Sequence, residues 1–202
     1  MPVLGVRVKS GWAAIVLVGG TRAAPVVLDT RRLALADPAT PASTQPHHAK
    51  TGTPQTDARV LRRLIALVER CARTNAAAVL EEYRTAGHVP RLAMVVGTSD
   101  TDPATITNPH IRIHALEGRL FRRVAVAAFD HAGVRTKEVL ERELVRRAPD
   151  GLSRSWAGVT EQLTRLRPAG AGPWRQEQKL AALAAWLELP RAGVSAAKNQ
   201  PR

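Results

Sequence analysis

The sequence predicts an α/β fold: a mixed five-stranded sheet, three antiparallel strands and then parallel ones, flanked by helices. Three observations predict it. The chain opens with three apolar segments of strand period separated only by short turns, a spacing that pairs neighbours antiparallel. Two further apolar segments each follow a long helical stretch, the connection a parallel crossover requires. At 202 residues, the chain can bury a core without disulfide or metal staples.

Each element has its own signal. Residues 3–8 alternate as a strand, Lys9-Ser10-Gly11 turns the chain, and residues 12–18 form the second strand. Gly19-Gly20 turns it again, and residues 25–35 form the third. Residues 36–56 are rich in Pro, Thr, Ser and Ala, which predicts a long loop or mobile linker. Asp57 is placed to cap a helix whose Val60, Leu64, Leu67, Val68, Cys71, Val79 and Tyr83 share one face, and Gly87 ends it. Residues 91–96 are a short apolar strand of central, parallel type. It stops in the turn-forming run Gly97-Thr98-Ser99-Asp100-Thr101-Asp102. Asn108-Pro109 then starts a helix over residues 110–131, with Ile113, Leu116, Leu120, Val124, Ala127 and Ala128 on one stripe. Gly133 ends it, and residues 134–140 are a fifth, weaker strand. Ser153 is expected to cap a helix carrying Trp156, Val159, Leu163 and Leu166. Pro173 is expected in the first turn of a last helix through Leu180, Leu183, Ala184 and Leu187. Residues 1–189 thus read as a single domain with a long loop at 36–56, and residues 190–202 as a disordered tail.

Composition narrows the function. Thirty Lys and Arg against 17 Asp and Glu leave a charge of +13, which points to a polyanionic partner. One cysteine excludes a disulfide scaffold and a cysteine-based zinc cluster and fits a cytoplasmic protein. The apolar run 13–18 is too short for a membrane span and follows an apolar strand rather than a basic leader, so neither signal peptide nor membrane is expected. Val18-Gly19-Gly20-Thr21 lacks the lysine of a phosphate-binding loop, and no serine sits in a nucleophile elbow. His47-His48 reads as loop composition. Seven aromatics, from four Trp, one Tyr and two Phe, are too few for a base-stacking platform. Arginines gather at 59, 62, 63, 70 and 73, then at 119, 122 and 123, then at 142, 146 and 147.

The opening Val3-Leu4-Gly5-Val6-Arg7-Val8-Lys9-Ser10-Gly11-Trp12-Ala13 resembles the first strand and turn of the RuvC-type Holliday-junction resolvases, a branch of the ribonuclease H-like superfamily. Leu4-Gly5-Val6 and Ser10-Gly11-Trp12-Ala13 carry the likeness. Residues 117–133 resemble the helix-then-glycine segment before that fold's fifth strand. Lys179-Leu180-Ala181-Ala182-Leu183-Ala184-Ala185-Trp186 resembles its closing helix. The resemblance implies a ribonuclease H-like fold and a site of three or four carboxylates holding two Mg²⁺ for phosphodiester cleavage. This sequence departs from it. Arg7 stands where the first-strand carboxylate is expected, and Lys179 aligns with the last one, with Glu177 two residues earlier. Neither basic group can ligate Mg²⁺, but both can contact phosphate.

The expected function is therefore nucleic-acid binding on a nuclease-like fold that lacks the standard two-metal site and needs no cofactor. Arg7, Lys9, Arg112, Arg119, Arg122, Arg123 and Lys179 are the candidate phosphate contacts, with duplex or branched DNA, or structured RNA, as partner and a homodimer as candidate assembly. The enzyme alternative is a metal-dependent nuclease. Asp100, Asp102, Glu117 and His114 would be its catalytic residues, and Asp100, Asp102, Glu117 and His110 would ligate Mg²⁺ or Mn²⁺. His110 and His114 lie one helical turn apart, as do His114 and Glu117. A second alternative is a protein-interaction scaffold.

Overall fold

The computed structural model describes residues 1–50, 52–170 and 172–191. Strands β1 (Val3–Lys9), β2 (Trp12–Gly20) and β3 (Pro25–Ala34) pair antiparallel in sequence order. Two later strands, β6 (Leu92–Gly97) and β7 (Arg135–Leu140), add parallel to β1, giving the order β3-β2-β1-β6-β7. The five-stranded mixed sheet follows the expectation, because β1 is the one strand that is paired antiparallel on one side and parallel on the other.

Helices α1 (Ala58–Thr85) and α2 (Pro109–His131) cover one face. Asp57 caps α1 by accepting from the backbone N–H groups of Arg59 and Val60, and Asn108 caps α2 through those of His110 and Ile111. Leu4, Val6, Val8, Ile15 and Leu17 meet Val68, Ala72, Leu120, Phe121 and Phe129 there. The other residues of β1 face the opposite side, under α3 (Glu141–Leu152), α4 (Trp156–Arg165) and α5 (Gln176–Leu187). In α5 every residue from Leu180 to Leu187 is buried, so it is a core helix rather than an amphipathic one. It lies so close that a Cβ at Gly5 would sit 1.8 Å from the Ala181 carbonyl oxygen. Glycine at position 5 is what lets helix and strand meet.

Four local expectations need correction. α3 was not anticipated; its Leu144, Ala148 and Leu152 pack on the sheet while charged residues fill its other faces. Ser153 does not cap the next helix. It closes α3 in a left-handed conformation (φ 51°), and Ser155 caps α4 by accepting from the Gly158 N–H. Pro173 precedes α5 rather than opening it, since the helix starts at Gln176. Residues 36–56 are also no free linker. They contain a 3₁₀ turn (Pro41–Thr44) and a small hairpin of β4 (His48–Lys50) and β5 (Thr53–Pro54). The buried Ser43 hydroxyl accepts from the Asp37 N–H at 3.0 Å, and the Asp37 carboxylate accepts from the Ala39 N–H and the Thr40 hydroxyl. Of the expected tail, residues 192–202 lie outside the described residues, while Pro190 accepts from the Arg22 N–H at 3.0 Å.

Candidate functional site

In open sheets of this kind, ligands favour the carboxyl ends of parallel strands, where the strand order switches. Here those ends are Arg7–Lys9 of β1, Gly97 of β6 and Leu140 of β7. Two neighbourhoods form there, one on each face of the sheet.

On the α5 face sits Arg7, only 4% exposed. Its guanidinium donates to the Val96 carbonyl and the Thr98 hydroxyl, both at 3.2 Å, and to Glu141 at 2.6 Å. Burial pushes its pKa down, and the charges of Glu141 and Glu177 push back. Arg7 therefore ties together the ends of β1 and β6 and the start of α3. The expectation that it meets phosphate is corrected: Nη1 and Nη2 are bonded inside the protein, Nε is buried without a partner, and the side chain is closed off from solvent. Lys179 does not join it. Its ammonium bonds the Thr164 hydroxyl of α4 at 3.2 Å, and Glu177, two residues away, is the α5 side chain whose charge Arg7 feels.

On the α2 face a cavity of about 610 Å³ opens between Lys9-Ser10, the loop 97–102 and one side of α2. Asp100 and Asp102 line it, but each is held by an arginine. Asp100 pairs with Arg142 at 3.0 Å. Asp102 caps the 3₁₀ turn Pro103–Thr105 and pairs with Arg119 at 3.5 Å. Arg122 lines the same cavity, pinned to Glu138 at 3.0 Å and to the Ser99 carbonyl at 2.9 Å. Among the described residues the Lys9 ammonium has no ion pair. Arg112 donates to the Ile106 carbonyl, and Arg123 lies on the α1 side of α2, beside Glu69 and Arg73. Thus Lys9, Arg119 and Arg122 come together at the cavity, while Arg112, Arg123, Arg7 and Lys179 do not.

Glu117 does not join Asp100 and Asp102 either. It is 0% exposed and turned toward the loop 36–56. One carboxyl oxygen accepts from the His47 N–H at 2.7 Å and lies 3.2 Å from His48 Nδ1; the other has no partner. Desolvation lifts its pKa to about 7, opposed by the His47 N–H bond. Desolvation also lowers the pKa of His47 and of His48, helped at His48 by His114 and His110. Burial thus disfavours the charged form of each partner in the His48–Glu117 contact. His114 touches His110 at 3.1 Å and stacks, tilted, at 5.3 Å from His48. Sequence reasoning set His48 aside, yet Glu117 carried a signal. It falls four residues after Ile113 and three before Leu120, on the buried side of α2.

The residues present do not fit the two Mg²⁺ ions that the resemblance implies. A buried guanidinium fills the first-strand position, and Asp100 and Asp102 are neutralised by arginines. Glu117 faces elsewhere, so the expected sets Asp100, Asp102, Glu117 with His110 or His114 are not assembled. Among the described residues no three His, Cys, Asp or Glu side chains are grouped to hold a metal ion. Among those residues, too, no helix is long and apolar enough to cross a membrane.

No family model matches the sequence, and no curated protein matches it. Solved structures do. RuvC from Thermus thermophilus aligns over 93% of this chain and 92% of its own, with a TM-score of 0.55 at 14% identity. RuvC of the same organism in complex with a Holliday junction substrate covers the same shares, with a TM-score of 0.57 at 14% identity. The chain has the RuvC-like, ribonuclease H-like fold.

Proposed function

We propose that this RuvC-fold chain binds duplex or branched nucleic acid through its phosphates and does so without the two-metal nuclease chemistry. The observation that carries the reading is how the carboxyl ends of β1 and β6 handle charge. Arg7 sits buried against Glu141, and the two acids of the α2-side cavity are covered by Arg119 and Arg142. What is left around the cavity is cationic by one charge, with Lys9 unpaired and Arg119, Arg122 and Arg142 held by Asp102, Glu138 and Asp100. Arginine paired loosely with an exposed aspartate can trade that partner for a phosphate, since surface pairs are worth little. Support also comes from the shared fold, since the T. thermophilus protein has been solved holding a Holliday junction.

The test is binding of a labelled four-way junction and of a matched linear duplex, followed by anisotropy across a salt series, with Mg²⁺ and with EDTA. Binding should weaken steeply with salt, as counterion release requires. Mg²⁺ should not be needed and should act only as a further competing counterion, and the strands should stay intact with it. Cleavage that needs Mg²⁺ or Mn²⁺ and that Glu117→Gln abolishes would restore the nuclease reading. Binding insensitive to salt, or a partner protein that stays bound after nuclease treatment, would favour a scaffold instead.

A further inference from the structure

The first half of α1 carries Arg59, Arg62, Arg63, Arg70 and Arg73, with Glu69 as its one acid. At about 100° per residue these five arginines fall within about 100° of arc. They lie opposite Leu64, Val68 and Ala72, which enter the core. All five are exposed. Among the described residues, none of the five guanidinium groups has an ion pair or a side-chain hydrogen bond. The far end of the same helix behaves differently, with Arg84 paired to Glu81 and Glu82 to Arg31. The stripe stops where Glu81 comes round to its face. Near its end Arg73 shares a groove with Arg123 of α2, lined also by Glu69, Val124, Ala127 and Ala128, so the basic track continues onto the second helix.

Five like charges along one helix face repel one another, and their heads contribute nothing to the core. We propose that this face of α1 is a second binding surface, which takes the sugar–phosphate backbone of a duplex nucleic acid. The inference rests on the nucleic-acid reading above for its class of ligand, but it uses none of the cavity residues. From Arg59 to Arg73 the helix rises about 21 Å. One strand advances about 3.4 Å of duplex axis per phosphate, so about six phosphates fall within that length, and the winding of the strand turns only part of them toward the helix. Five arginines are enough to cover those that face them. The face is wrong for the other polyanions. An anionic membrane would require a row of large apolar side chains beside the cations, and on this part of α1 Val60 alone is exposed while Leu64 and Val68 are turned into the core. An acidic peptide would require a pocket for an anchor side chain, and the residue amid the stripe is Ala66.

The experiment compares the full chain with a triple variant, Arg59→Ala, Arg63→Ala and Arg70→Ala, and with a cavity variant, Lys9→Ala with Arg119→Ala. Binding to DNA and RNA duplexes is followed over a salt series, and binding to phosphatidylserine vesicles is measured alongside. The triple variant should unfold at the parent's temperature or slightly above it, because the removed groups are exposed, unpaired and mutually repulsive. Its salt slope should fall by about 2.7, that is about 0.9 per lost phosphate contact, with a loss on the order of 100-fold in affinity at 0.1 M salt. Lysine at the same three positions should restore most of the slope. A triple variant that keeps the parent slope while the cavity variant weakens overturns this surface and leaves the cavity reading standing. If neither variant changes the slope, both readings fall. Loss of vesicle binding with duplex binding intact would assign the stripe to a membrane and overturn the proposal.

Discussion

Glu117 makes stability depend on pH in a direction opposite to that of a paired surface acid. Its carboxyl is fully buried, and its pKa rises from 4.5 to about 7. A raised folded-state pKa means that the folded protein holds this proton more tightly than the unfolded chain. The stabilisation is complete below 4.5 and is lost as pH rises through 7. The shift is worth about 3 kcal/mol at about 1.4 kcal/mol per unit. His47 and His48, with lowered values, act the other way: their contribution is present above the ordinary histidine range and is lost as pH falls. Comparing the parent with Glu117→Gln cancels what the two proteins share. Glutamine keeps an oxygen for the His47 N–H, and any fixed cost of its unpaired amide is the same at every pH. Urea unfolding of both proteins between pH 4.5 and 8.5 should therefore show the variant gaining on the parent by about 3 kcal/mol across that range. A difference that stays flat with pH would refute the burial of an ionisable Glu117.

Gly5→Ala drives a methyl into the Ala181 carbonyl and should cost about 3 kcal/mol, read as a lowered Tm. Glu141→Ala leaves the Arg7 guanidinium buried without its nearest partner and should cost about 3 kcal/mol. Arg7→Met leaves a carboxylate that is 32% exposed and can rehydrate, and strips a donor from the Val96 carbonyl and the Thr98 hydroxyl, so it should cost less, about 1 kcal/mol. Equal costs in urea unfolding would contradict that asymmetry.

The sheet was legible because its signals are local. Two-residue periodicity and short turns identify β1, β2 and β3, and Asp57, Gly87 and Asn108 mark where α1 and α2 begin or end. α3 was not legible in the same way. Leu140 offers no capping side chain, Pro149 is a helix-breaking residue that lies inside the helix, and its charged residues outweigh Leu144, Ala148 and Leu152. The site was harder still, because its partners are far apart in sequence. Arg7 meets Glu141 across 134 residues and Glu117 meets His48 across 69, and no spacing rule reaches that far. The likeness of residues 3–13 located the end of β1 beside which the cavity opens, but it could not show that Arg7 would be consumed by an internal ion pair.

The arginines of this chain divide by what they face. Where the fold would place a cation-binding acid, Arg7 is enclosed by Glu141 and by the field of Glu177. That cluster is self-neutralised and projects little potential into solvent, since opposite charges at contact distance cancel beyond it. At the cavity, Asp100 and Asp102 offset Arg142 and Arg119 in the same way. Among the described residues, unpaired basic groups lie elsewhere, on Lys9, on scattered positions such as Arg91, Arg135, Arg146 and Arg147, and as a row of five on the outer face of α1. Long-range attraction follows uncompensated charge, so the approach of a polyanion would be steered by α1 and refined at the cavity. Added salt should therefore slow association through α1 before it loosens the paired arginines. A stopped-flow salt series on the triple α1 variant should show a flatter association rate than the parent. The Lys9→Ala, Arg119→Ala variant should change dissociation more than association. The reverse assignment of the two rates would overturn this division of labour.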